Sequence, residues 1–131
     1  VPLHGAACCS GHADALGDGV WLGSNPTYPL PAGGNWDAWS RARNDAWRQI
    51  AGLGAVYLVV SLGVETYLAD PISSFKLDSP DYLTMGEMIA KLGLPTLFVM
   101  EGGYAVEEIG INAVNVLTAF DATVTAQGEV Q

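Results

Sequence analysis

Few residues in this 131-residue chain combine a reactive side chain with a suggestive spacing. His4, Cys8, Cys9 and His12 form a His-x3-Cys-Cys-x2-His array, and imidazole and thiolate are zinc ligands. The spacing matches no zinc motif, however, and adjacent thiolates chelate one ion poorly, so Cys8 and Cys9 read as small apolar fillers. Asp70 stands before Pro71, which taken alone marks an ordinary turn. Glu101-Gly102-Gly103-Tyr104 follows an apolar run and places a phenol beside a turn that glycine makes easy. Glu87, Glu107 and Glu108 fall on helical patterns as solvated charges.

The chain as a whole limits what such residues could act on. Five Lys and Arg against fourteen Asp and Glu leave a net charge of −9; that field repels phosphate backbones and favours cationic ligands and metal ions. Nucleic acid is therefore excluded as an expected partner. With 50% hydrophobic and 15% charged residues, the composition is that of a folded chain, not a disordered one. The length suits a single domain, 1–131, with residues 1–35 rich in turn signals, an α/β core over 36–121 and a tail over 122–131. The longest apolar runs, such as 55–60 and 94–100, fall short of a bilayer span, so no membrane is expected. Residues 1–11 lack the basic start and apolar stretch of a signal peptide. Neighbouring Cys8 and Cys9 rarely meet disulfide geometry, which fits a reducing, cytoplasmic location.

The elements that must position these residues can be read from periodicity. Trp39, Ala42, Ala46, Trp47 and Ile50 recur at helical spacing, with Asn35 or Asp37 to cap the start and Gly52 and Gly54 to end it, predicting a helix over 37–51. Residues 56–60 form a β-branched and aromatic run suited to a strand covered on both faces. Ser79 as cap and Pro80 in the first turn predict a helix over 80–92, with Tyr82, Met85, Ile89 and Leu92 facing inward. A second buried strand follows at 96–100. A third helix, 105–120, carries Ile109, Ala113, Val116, Leu117 and Phe120 inward. The alternation predicts a three-layer α/β fold with a parallel sheet, whose chemistry lies in loops beyond the carboxyl ends of the strands, here 61–74 and 101–106.

Those loops carry a resemblance. Ser61-Leu62-Gly63-Val64-Glu65, Asp70-Pro71-Ile72-Ser73 and the run from Gly93 to Tyr104 resemble the acetylpolyamine amidohydrolases and class II histone deacetylases. Asn112 to Leu117, Ser10 to Asp14 and Tyr28 to Pro31 extend the likeness from Ser10 to Phe120. The family's members are zinc-dependent amide hydrolases on an arginase-like α/β fold. The resemblance implies that Asp70 matches the second aspartate on the catalytic zinc and Tyr104 the tyrosine that donates its hydroxyl to the developing oxyanion. Glu101, Gly102 and Gly103 would line the substrate pocket. In such sites the metal lowers the pKa of bound water to about 7, and an oxyanion donor contributes on the order of 10²- to 10³-fold.

The same comparison exposes what is missing. The family's Asp-x-His zinc ligands and tandem His-His have no counterpart, since the only histidines are His4 and His12. His4 resembles the histidine of a Ser-Ile-His-Gly stretch, with Pro2 in place of the serine, and Glu65 replaces the usual Asp. One carboxylate cannot supply the three protein ligands of a catalytic zinc. The chain thus resembles the carboxyl-terminal part of a deacetylase, expected to hold no zinc tightly and to be inactive alone. The alternatives are a non-catalytic oligomeric module binding a cationic molecule such as a polyamine, and a site completed by a partner chain. An acetylated amine or polyamine is the expected ligand, and an open sheet edge predicts a homo-oligomer.

Overall fold

A computed structural model of the chain describes residues 3–5, 19 and 26–129. Cys8, Cys9 and His12 lie outside the described residues, so the His/Cys array is placed only at His4, whose backbone belongs to strand β1 (Leu3–Gly5). β1 pairs in parallel with β2 (Tyr28–Leu30), Leu3 opposite Tyr28 and Gly5 opposite Leu30. Residues 1–35 therefore carry two short strands where only loop is expected from the pattern; three-residue strands are too short for alternation to register.

Helix α1 (Trp36–Gly52) starts where Asn35 accepts the Ala38 N–H on its side chain at 3.2 Å. Trp39, Ala46 and Ile50 are buried, with Ala42 and Trp47 packed against the core. The stripe also buries Arg43, a residue the apolar pattern passes over. Its guanidinium lies 5.6 and 5.4 Å from the ring centroids of Trp36 and Trp39, donates to Asn44 Oδ1 at 3.0 Å and meets the sulfur of Met88. Two aromatic faces and a long aliphatic stem make this burial tolerable.

Strands β3 (Leu58–Leu62) and β4 (Thr96–Met100) pair in parallel, Leu58 opposite Thr96 and Leu62 opposite Met100. β3 begins two residues later than the sequence suggests, where the Leu58 N–H donates to the Pro95 carbonyl at 2.9 Å. Leu58, Val60, Leu62 and Phe98 face the core. Val59 and Leu97 point away and are 64% and 60% exposed. The apolar run reads as a strand covered on both faces; among the described residues one face is covered and the other open.

α2 spans Ser79–Ala90, and its cap is Asp78 rather than Ser79. Asp78 and Asp81 form a reciprocal capping box, the Asp78 N–H donating to Asp81 Oδ2 at 2.9 Å, because a carboxylate one residue earlier reaches the orphan N–H groups and leaves Pro80 in the first turn. α3 (Val106–Gly128) runs through most of the expected tail. Its buried residues are Asn112, Val116 and Ala119, while Leu117 is exposed; the helix turns a narrower face inward than its apolar content suggests. A Cβ on Gly86 would collide with the Val116 carbonyl, so bare glycine lets α2 and α3 pack closely. By length and composition α3 could cross a bilayer, contrary to the run-length reading; its packing on α2 and the edge-on contact of Phe120 with Phe98, 5.1 Å between centroids, also suit a layer helix.

Candidate functional site

Both strands deliver loops at the same edge, and the ladder carries on beyond their ends. The Glu101 N–H donates to the Leu62 carbonyl at 2.9 Å, and the Val64 N–H to the Gly102 carbonyl at 2.8 Å. Residues 63–70 and 101–105 thus leave the sheet side by side, which is where an open parallel sheet presents its reactive groups.

Asp70 is 5% exposed. Its Oδ2 accepts the Tyr104 N–H at 2.7 Å and the Ala105 N–H at 3.3 Å, and its Oδ1 accepts the Ile72 N–H at 3.0 Å. Ala105 is the N-cap residue of α3 and has no side-chain acceptor of its own. Asp70 supplies one from the facing loop, so a carboxylate sits where helix N–H groups and the macrodipole favour negative charge. The backbone thus brings Asp70 and Tyr104 together at one edge of the sheet.

The Tyr104 side chain is 51% exposed at this edge. It follows Gly103, whose φ of +147° is a conformation other residues rarely adopt, and a Cβ there would lie 2.6 Å from Val64 Cγ2. Glycine is required twice over, by the backbone and by the close approach of Val64. A Cβ on Gly102 would lie 2.6 Å from Glu65 Oε2, and one on Gly63 would also strike that carboxylate. The Glu65 side chain occupies space left by two glycines at the two strand ends, with Oε2 buried and without a hydrogen-bond partner among the described residues. Glu101 points to solvent.

Behind this edge lies a residue that the sequence marks only as an apolar helix position. Tyr82 is fully buried; its hydroxyl donates to the Val64 carbonyl at 3.1 Å and pairs with Thr66 Oγ1 at 2.9 Å. Burial foremost pushes its phenol pKa up, and the charges of Glu65, Asp70 and Asp81 add to the effect. No spacing signal separates such a tyrosine from an ordinary core aromatic.

The fit to a metal can be tested on these groups. Three N–H donors occupy three of the roughly four acceptor positions of the Asp70 carboxylate, and no three His, Cys, Asp or Glu side chains gather among the described residues. A zinc ion needs more than these residues bring together.

Parallel strands, helices packed on their core face and a carboxylate and tyrosine at the carboxyl edge define a deacetylase-type α/β fold. The histone deacetylase domain matches residues 7–120, and the chain belongs to that family. Within it, the chain is 63% identical over 111 residues to acetylpolyamine amidohydrolase 1 of Pseudomonas aeruginosa, covering 85% of this chain and 32% of that protein. It is 51% identical over 107 residues to acetylpolyamine amidohydrolase of Mycoplana ramosa, covering 82% and 31%. The crystal structure of acetylpolyamine aminohydrolase from Burkholderia pseudomallei superposes with a TM-score of 0.87 at 32% identity, covering 92% of this chain and 37% of that one. The chain spans about a third of the length of these relatives.

Proposed function

We propose that this chain carries the carboxyl-terminal share of an amide-hydrolase site for acetylated amines, and that alone it does not complete that site. The observation that carries the reading is the Asp70–Tyr104 pairing at the strand ends. Asp70 would contribute one carboxylate oxygen to a zinc ion held mainly by ligands from elsewhere, and Tyr104 a hydroxyl to the oxygen that gains charge as the amide is attacked. Glu101, Gly102 and Gly103 would shape the adjoining substrate wall. The relatives' names support an acetylated polyamine as the substrate class, and the chain's charge of −9 suits a cationic ligand. A cytoplasmic location belongs to the same proposal.

With Asp70 the one inherited carboxylate, and both its oxygens already accepting backbone N–H groups, the isolated chain should bind zinc weakly, since ligand count governs affinity. Calorimetry tests this: weak, substoichiometric binding is expected, whereas tight one-to-one binding abolished by Asp70→Ala would show a complete site. A second reading, a non-catalytic module for a cationic molecule, is supported by the chain's net charge of −9. Polyamine binding without turnover under any combination of chains would favour it.

Self-association forms part of the proposal. A two-stranded parallel sheet with Val59, Leu97 and Val99 exposed offers an open face and edges, and a second copy is the occupant we assign to them.

A further inference from the structure

We propose that Tyr82 is a positioning residue that holds the two halves of the strand-end site in register, acting on Asp70 and Tyr104 through Val64. The inference rests on reading Asp70 and Tyr104 as the site. A closed circuit of contacts carries it. The Tyr82 hydroxyl donates to the Val64 carbonyl at 3.1 Å. That carbonyl also accepts the Tyr67 N–H at 3.2 Å, and the Tyr67 carbonyl accepts the Asp70 N–H at 3.0 Å. Asp70 in turn holds the Tyr104 N–H at 2.7 Å. On the other side, the Val64 N–H donates to the Gly102 carbonyl at 2.8 Å, and Val64 Cγ2 forms the floor beneath Gly103, immediately before Tyr104. The circuit returns to Val64, the residue at which both loops meet, and Tyr82 is the group from α2 that fixes it.

The hydroxyl has no packing reason to be there. Tyr82 is wholly buried in a cluster with Leu77, Met85, Ile89 and Val116, where phenylalanine would fill nearly the same volume without a polar group to satisfy. The phenol is nevertheless satisfied on both counts, donating to Val64 and accepting from Thr66. Tyr82 touches no reacting atom; its effect passes through backbone geometry.

The test is residue-resolved amide hydrogen exchange by NMR on the full chain, comparing Asp70, Tyr104 and Ala105 with Ala46 and Ile50 on α1. Tyr82→Phe should speed exchange at the first three by about tenfold, the loss expected when a buried bonded group is left unpaired, with the α1 amides unchanged. Thr66→Val should act in the same direction, and Thr66→Ser, which keeps the hydroxyl, should restore wild-type protection. Should Tyr82→Phe not fold, the Thr66 pair decides. Equal acceleration everywhere would reduce Tyr82 to a general core residue and overturn the proposal, as would unchanged exchange at Asp70 and Tyr104. Exchange is read without turnover, so an inactive chain leaves this result intact, and failure here leaves the amide-hydrolase reading to its own experiments.

Discussion

The backbone N–H of Tyr104 donates to Asp70 Oδ2 at 2.7 Å across a sequence separation of 34 residues. Two loops from different strands are thereby tied at one carboxylate, which also accepts the Ala105 N–H at the start of α3. Asp70 is a structural group in this chain whatever else it ligates.

Removing that carboxylate has a large expected cost. Asp70→Ala leaves three backbone N–H groups without their acceptor, two of them at a helix start, and should destabilise the chain by about 2–4 kcal/mol. Urea denaturation measures it. A loss below about 0.5 kcal/mol, the range of an ordinary surface substitution, would mean that the contacts contribute little.

Gly103→Ala should be far worse than the same change at Gly33. Both glycines have positive φ, at +147° and +77°, but only Gly103 faces a neighbour, Val64 Cγ2 at 2.6 Å from the added Cβ, whereas Gly33 has open space. About 2–4 kcal/mol is expected at Gly103 against about 1 kcal/mol at Gly33, read from paired thermal melts. Equal losses would contradict the close approach.

Tyr28 gives a pH prediction. Its hydroxyl donates to Asp45 Oδ2 at 2.6 Å and accepts from Gln49 Nε2 at 2.7 Å. Burial, followed by the bond to Asp45, pushes its pKa up to about 12. A raised pKa favours the neutral phenol in the folded state, so the stabilisation is complete below pH 10 and fades as pH rises from 10 through 12. Tyrosinate absorbance should show one late-titrating group in this window that Tyr28→Phe removes, Tyr82 ionising later still. An ordinary titration at Tyr28 would contradict the Asp45 bond.

The proposed self-association through the open sheet is open to a direct measurement. Light scattering should report a dimer or larger species, with an apolar interface above roughly 2,000 Å². A monodisperse monomer at high micromolar concentration that binds no hydrophobic dye would count against it.

The three helices were legible because residues such as Trp39, Ala46 and Ile50 recur with helical period, and β3 and β4 because 56–60 and 96–100 are apolar runs bounded by glycine and proline; the three-residue β1 and β2 left no such signal. The pairing of Asp70 with Tyr104 was legible only through family likeness; an Asp-Pro turn and a glycine-rich stop look the same in many chains. Three features escaped for physical reasons. Arg43 is buried by tertiary contact with two tryptophans, which overrides its charge. The Asp78 cap competes with Ser79 one residue away, and only geometry chooses between them. The open face of β3 and β4 carries the same apolar residues as a covered one, so sequence cannot tell which face finds a partner.

The most direct test is hydrolysis of an N-acetylated polyamine, with zinc supplied, by this chain alone and by this chain mixed with a polypeptide that provides the rest of the relatives' length. No turnover alone and turnover in the mixture, lost on either Asp70→Ala or Tyr104→Phe, is the expected result. Turnover by the chain alone, or turnover in the mixture that survives both substitutions, would contradict the assignment of these two residues to a shared site.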